Sequence, residues 1–263
     1  MSVLPAFDLV RPQDLTAALE AISDDYRPYA GGTELLLAMR AGLIRPTGLV
    51  DLKRIAELNA VTTLDSDLVI GGTATHRSVA RSSSIAQNLP VLSEVLRQVG
   101  NARVRAVGTL GGNLCFSEPK SDVATVLVAL DAHVEVASSI SVRTLGVADF
   151  VLGPYTTDLA DNELLTRILV PLVSGRKIAF DKFQTMERPT VSVAAVEEPD
   201  GSRRVVVGAV GGQPEVFAVE EDAPDQIGSL VEVIPDLTGG EKYKHHIVDV
   251  VVRTALKRLG GRG

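Results

Sequence analysis

Apolar positions along this chain follow two rhythms, and the switches between them outline the elements. In "RPQDLTAALEAIS" (residues 11–23), Leu15, Ala18, Leu19 and Ile22 fall at helical spacing, with Asp14 placed to cap the first turn. "YRPYAGG" reads as a short strand ending in glycines, and "TELLLAMRAG" as a helix closed by Gly42. "TGLVDLKRI" and "DLVIGGTATH" look like strands or strand-to-loop passages. A helix over 90–99 turns Val91, Leu92, Val95, Leu96 and Val99 to one side. "SDVATVLVALDA" is a helix capped by Ser121 or Asp122, and "HVEVAS" alternates like a strand. In the second half, "DLADNELLTRILVP" and "SGRKIAFDKFQTMERPTVSVAAVEE" supply strand-like pieces, and "SRRVVVGAVGGQPEVFAVEE" a hairpin turning at "GGQP". A helix over 241–259 closes the chain, with Ile247, Val251, Ala255 and Leu256 along one side. The pattern predicts two domains, 1–170 and 171–263, dividing near Pro171, with the first split again near 55–60.

Composition removes much of the functional menu. The chain has 263 residues, 45% of them hydrophobic and 22% charged, the profile of a globular protein of one large or two ordinary domains. No apolar run approaches the ~18 residues of a membrane span. "MSVLPAFDLVRPQD" lacks a basic stretch followed by an apolar core, so a cytoplasmic location is the expectation. Cys115 is the single cysteine, which rules out an internal disulfide and an iron–sulfur cluster held by this chain alone. Four histidines, two of them adjacent, make a poor zinc set, and a net charge of −7 argues against nucleic acid.

Chemistry gathers at glycines. "VGTLGGNLCFSEPKSD" (107–122) places Gly111 and Gly112 side by side, a costly choice unless the bare backbone is used. "YAGGTELLLAMR" (29–40) repeats the design: a strand ends at Ala30, Gly31 and Gly32 expose amides, and Thr33 or Glu34 opens a helix. Such amides suit a phosphate. Neither loop fits Gly-x-Gly-x-x-Gly or carries the Lys-Ser/Thr ending of a nucleoside-triphosphate loop, so both of those sites are poor readings. Two loops about 80 residues apart are either unrelated turns or a clamp on one diphosphate.

The order of these motifs favours the clamp. "AGGTELLLAMR", then "IGGTATH", then "VGTLGGNLCFSEPKSDVATVLVALDAHVEV" resembles the FAD-binding subunit of the molybdenum hydroxylases, which include the carbon monoxide dehydrogenase medium subunit and the xanthine dehydrogenase flavin domain. "NELLTRILVP", "AFDKFQTMER", "VSVAAV" and "YKHHIVDVVVRTALKRL" extend the similarity over nearly the whole chain. The resemblance implies an α+β fold: a two-subdomain FAD-binding domain of the vanillyl-alcohol-oxidase/PCMH type, then a small α+β domain of antiparallel sheet and helices.

It also implies a residue map. Ala30, Gly31, Gly32, Thr33, Glu34 and Leu35 would run along the FAD pyrophosphate, mostly through backbone. Thr109, Gly111, Gly112 and Asn113 would hold its other side, with Asn113 locking the turn by bonding its own backbone. Asp122 would reach the ribose or adenosine end, Leu165 would pack on the flavin or adenine, and Lys182 would near the isoalloxazine edge. Plainer roles exist: Thr33, Glu34 and Asp122 as helix caps, Lys182 as a solvated strand lysine, Cys115 as a small buried hydrophobe. His76 reads as a capping or surface histidine in preference to a cofactor contact. Cys115-Phe116 stands where the resembled family often carries Ala or Ile followed by a small or polar residue, which bears on the flavin's exposure.

By the same resemblance, a large partner subunit carries the molybdenum cofactor and a small one two [2Fe–2S] clusters, in a dimer of heterotrimers. This chain would hold FAD and pass electrons to NAD, a quinone, another carrier or oxygen. It would need no catalytic residue and no metal of its own. The rivals are a free-standing FAD-dependent oxidoreductase of the same fold and a cofactor-free binding module.

Overall fold

The computed structural model describes residues 4–219 and 226–261. The chain opens with β1 (Asp8–Val10), α1 (Leu15–Ala21), β2 (Tyr26–Tyr29), α2 (Leu35–Ala41) and β3 (Gly48–Asp51). These strands form a parallel sheet in the order β1-β3-β2. Asp14 caps α1, its carboxylate accepting from the Ala17 amide at 2.8 Å, and Gly42 ends α2 in the left-handed conformation (φ 74°).

A second layer follows: β4 (Val61–Leu64), β5 (Asp67–Gly71), α3 (His76–Arg81), α4 (Ser83–Asn88), α5 (Pro90–Gln98), α6 (Ala102–Val107), α7 (Leu110–Phe116) and α8 (Asp122–Ala129). Next come β6 (His133–Ala137), β7 (Val142–Gly146), α9 (Val147–Phe150), the small hairpin β8 (Val151–Gly153) and β9 (Thr156–Thr157), and β10 (Leu164–Pro171). The antiparallel sheet runs β4-β5-β10-β6-β7, so the last strand inserts at its centre. The remaining strands, β11 (Lys177–Phe183), β12 (Val191–Glu197), β13 (Arg203–Gly208) and β14 (Glu215–Ala218), pair antiparallel in chain order. Helices α10 (Ile227–Leu230) and α11 (Glu241–Leu259) close the chain.

Helix α8 explains how the sheets meet. All eight of its residues are buried. Its apolar side chains share one core with β5, β6 and β10 on one hand and with Phe180, Ala194, Val196 and Val206 of the four-stranded sheet on the other. The opposite face of that sheet (Val191, Val193, Ala195, Val205, Val207) packs on Val248, Val251, Val252 and Ala255 of α11. Strand β12 is thus covered on both sides, which is why "VSVAAV" is an apolar run rather than an alternation. A third cluster, of Ala18, Ile22, Val50, Leu52, Ile55, Leu58 and Leu164, lies under the parallel sheet.

Several local expectations shift. Gly111 and Gly112 lie in the first turn of α7, not in a loop. The β13–β14 connection spans 209–214 and is wider than a four-residue "GGQP" turn. The α11 face is rotated: Val248 and Val252 are buried while Ile247 and Leu256 are half-buried. Among the described residues, no helix is long and apolar enough to cross a membrane.

Candidate flavin-nucleotide site

The two glycine segments, distant in sequence, abut. A Cβ on Gly31 would stand 2.3 Å from the Val107 carbonyl oxygen and 2.9 Å from the Gly108 Cα, so only glycine lets these peptides touch. Gly32 adopts φ +70°, with Tyr29 and Leu36 closing the space where a side chain would go. A third glycine pair joins the arrangement. A Cβ on Gly111 would meet the Gly72 oxygen at 2.5 Å, and one on Gly72 would meet the Leu165 oxygen at 2.3 Å. Backbone bonds lock this stack: the Gly111 amide donates to Gly72 O at 3.1 Å, His76 N to Gly108 O at 3.0 Å and Leu110 N to Ala74 O at 2.9 Å. The bare faces of Gly31 and Gly111 are therefore filled by neighbouring peptides, whereas Gly112 is exposed and meets only the Thr109 hydroxyl, 2.7 Å from its would-be Cβ.

The caps meet the expectation at Ser121 and depart from it at Thr33 and Glu34. Neither Thr33 nor Glu34 caps α2 through its side chain, and the amides of Gly32, Thr33 and Glu34 find no hydrogen-bond partner among the described residues. Thr109 caps α7, its hydroxyl accepting from Gly112 N at 3.1 Å. Asn113 does not bond its own backbone; its Oδ1 accepts from the Ser121 hydroxyl at 2.7 Å, tying α7 to the start of α8. Ser121 caps α8, which leaves Asp122 free of that task.

Asp122 and Lys182, nominated separately, form one pair. The Lys182 ammonium donates to Asp122 Oδ2 at 2.8 Å, with the aspartate only 6% exposed. Oδ1 is buried with no partner, and burial pushes the carboxyl above its usual range against the opposing pull of the Lys182 charge. A half-satisfied buried carboxylate is costly, and it is an acceptor in want of a hydroxyl or amide proton. Lys182 is thus no solvated strand lysine. It also borders a surface groove of about 420 Å³ between α5 and β11, together with Glu94, Gln98, Asp181 and Arg258.

Leu165 is buried in the main core; its carbonyl backs Gly72. His76 is neither cap nor surface residue. Thr75 caps α3, and the imidazole is 2% exposed beneath Gly108, with Nδ1 unpartnered. Burial, aided by the Arg105 charge, pushes it down to about 4, so the ring is neutral at ordinary pH. Cys115 packs against the main core, and burial raises its thiol to about 12. Phe116 meets the Tyr155 ring edge-on at 5.3 Å. Gly72 and Gly108, absent from the residue map, also build the stack; the glycine pair in "IGGTATH" is the sequence signal for the first.

The arrangement is therefore a cradle of peptide backbone with unpaired amides on one rim, an exposed glycine on the other and a buried carboxylate with a free acceptor. Those features fit a dinucleotide: phosphates on amides, a sugar hydroxyl on the carboxylate. Residues 5–173 match the family described as the FAD binding domain in molybdopterin dehydrogenase. The chain belongs to that family, and FAD is its cofactor. It is 28% identical to the glyceraldehyde dehydrogenase medium chain of Sulfolobus acidocaldarius, over 97% of this chain and 99% of the relative. It is also 28% identical to the carbon monoxide dehydrogenase medium chain of Afipia carboxidovorans, over 98% of each. Quinoline 2-oxidoreductase from Pseudomonas putida 86 superposes with a TM-score of 0.91 at 26% identity, covering 99% of both chains. The fold is thus the flavin-binding fold expected from the motifs.

Proposed function

We propose that this chain is the electron-transfer subunit of a molybdenum hydroxylase complex, taking electrons from [2Fe–2S] clusters on a small partner and delivering them to an external acceptor. The observation that carries this reading is the contact of Gly31 with Val107–Gly108, which joins the two glycine segments into one cradle; the orphaned Asp122 oxygen lies at the start of α8, which Ser121 and Asn113 tie to α7. Bound FAD supplies the redox chemistry, accepting and releasing electrons at its isoalloxazine. The chain's own residues bind and orient. Gly32, Thr33 and Glu34 present amides to the diphosphate, with Gly112 and the Thr109-capped turn opposite. Asp122 accepts from a ribose hydroxyl through Oδ1 while Lys182 neutralises its other oxygen. Ala30 and Leu35 continue the first rim; Asn113 braces the second through Ser121, and Gly31, Gly111 and Leu165 back the cradle.

The partners in this reading are a large molybdenum-cofactor subunit and the small iron–sulfur subunit, with the heterotrimer doubled; the full-length similarity to medium chains supports it. A division near Pro171 is supported by the end of the family match at 173 and the start of the four-stranded sheet at Lys177, with a second division near 55–60 before β4. A cytoplasmic site of action belongs to the same reading. The test is isolation of the native complex, followed by anaerobic substrate addition and an acceptor panel. Bleaching of the flavin bands and their return on adding one acceptor is expected. A flavin that no substrate reduces in the intact complex overturns the assignment.

A further inference from the structure

Two carboxylates far apart in sequence, Glu34 and Glu118, converge on one guanidinium. Arg188, in the turn between β11 and β12, places Nη2 3.4 Å from Glu34 Oε1, 154 residues away and beside the amide rim. Its Nη1 pairs with Glu118, just beyond α7. Glu118 Oε2 also accepts from the Tyr155 hydroxyl at 3.1 Å, and Tyr155 packs on Phe116. Beneath this, the Tyr155 amide donates to Ser117 O at 2.8 Å and the Ser117 hydroxyl to Gly153 O at 2.7 Å. Ser117 (φ 49°) and Tyr155 (φ 56°) both hold the left-handed conformation, which non-glycine residues adopt only when surroundings enforce it.

We propose that Arg188 is a positioning residue for the cofactor: it fastens the 184–190 turn across both glycine segments and neutralises the two carboxylates that flank the diphosphate. The proposal rests on the FAD reading above. Its logic is one of charge. Glu34 stands on the first rim and Glu118 follows α7, the helix whose first turn forms the second, and each unpaired would repel a group carrying two negative charges. The more enclosed Glu118, 13% accessible, keeps the Tyr155 hydroxyl when the guanidinium is removed. Arg188 is 46% accessible and Glu34 36%, so that pair's worth to the fold itself is small. Its consequence falls on ligand retention instead.

The experiment measures FAD dissociation from the reconstituted full chain by flavin fluorescence, at low and high salt, with melting temperature as a fold control. Arg188→Gln is expected to release FAD on the order of tenfold faster while melting like the parent. Added salt should slow release from this variant, because it screens carboxylate–diphosphate repulsion. Glu34→Gln in the Arg188→Gln background should restore retention, an outcome that a merely structural arginine would not give. Arg188→Gln releasing FAD at the parent rate, or a double variant no better than the single one, overturns the proposal. A parent chain that takes up no FAD overturns instead the reading on which it rests.

Discussion

Asp122 shows how a single residue can carry two demands. Its helix needs no cap from it, because Ser121 supplies one, and its two oxygens divide between Lys182 and nothing. Breaking a buried pair from one side strands a charge, so Lys182→Met should destabilise the flavin-free protein by about 3 kcal/mol, and Asp122→Asn in that background should recover part of the loss. Chemical denaturation of the four forms of that cycle checks this. Asp122→Asn alone should weaken FAD by about 1–3 kcal/mol, the scale of a hydrogen bond to a charged group, measured as a change in Kd. His76 gives the pH counterpart. Folding holds the ring neutral, with its pKa lowered to about 4 from the ordinary 6.5. Its contribution is thus fully present above 6.5 and drains away as pH falls toward 4, up to about 3 kcal/mol. His76→Phe should flatten the stability profile over that window, and an unchanged slope would show that the ring titrates freely.

At the scale of elements, the glycines separate into those that pack and those that face outward. Gly111→Ala drives a Cβ to 2.5 Å from a carbonyl oxygen of the β5–α3 segment that has no room to yield. It should lower Tm and FAD content together, at a cost of about 1–3 kcal/mol or more. Gly112→Ala disturbs only the Thr109 hydroxyl and should cost about 1 kcal/mol, the worth of a cap. Much of this level was legible in sequence. Asp14, Gly42 and Ser121 mark helix ends by their own chemistry, and the long closing helix 241–259 is present as read. The helices α3, α4 and α6 were not singled out, because six residues give too little periodicity to stand out. The glycine stack was half legible: the pairs announce a bare backbone, but that Gly31 touches Val107 and Gly111 touches Gly72 is a tertiary fact no local pattern encodes. Likewise Asp122 and Lys182 were separate candidates until α8 and β11 came together.

For the molecule as a whole, α8 binds the halves into one cooperative body. The division near Pro171 marks a change in sheet, yet Phe180, Ala194, Val196 and Val206 complete the core that α8 starts. A buried Thr125–Ser192 hydroxyl bond at 3.1 Å and the Arg204–Asp131 pair add to the seam. Residues 1–170 expressed alone should therefore expose that side of α8 and aggregate, and the full chain should melt in a single calorimetric transition. Two separated transitions would mean that the halves are stable apart. One contact between backbones, Gly31 against Val107–Gly108, joins the two segments proposed to hold a diphosphate. The most direct measurement is a titration of the flavin-free chain with FAD and, in parallel, with riboflavin, which has the isoalloxazine but neither phosphates nor adenosine. One FAD per chain, bound at least a hundredfold tighter than riboflavin, is the predicted result; about 3 kcal/mol is the scale that several charge-assisted hydrogen bonds supply. Equal affinity for the two, or no uptake of FAD, would contradict it.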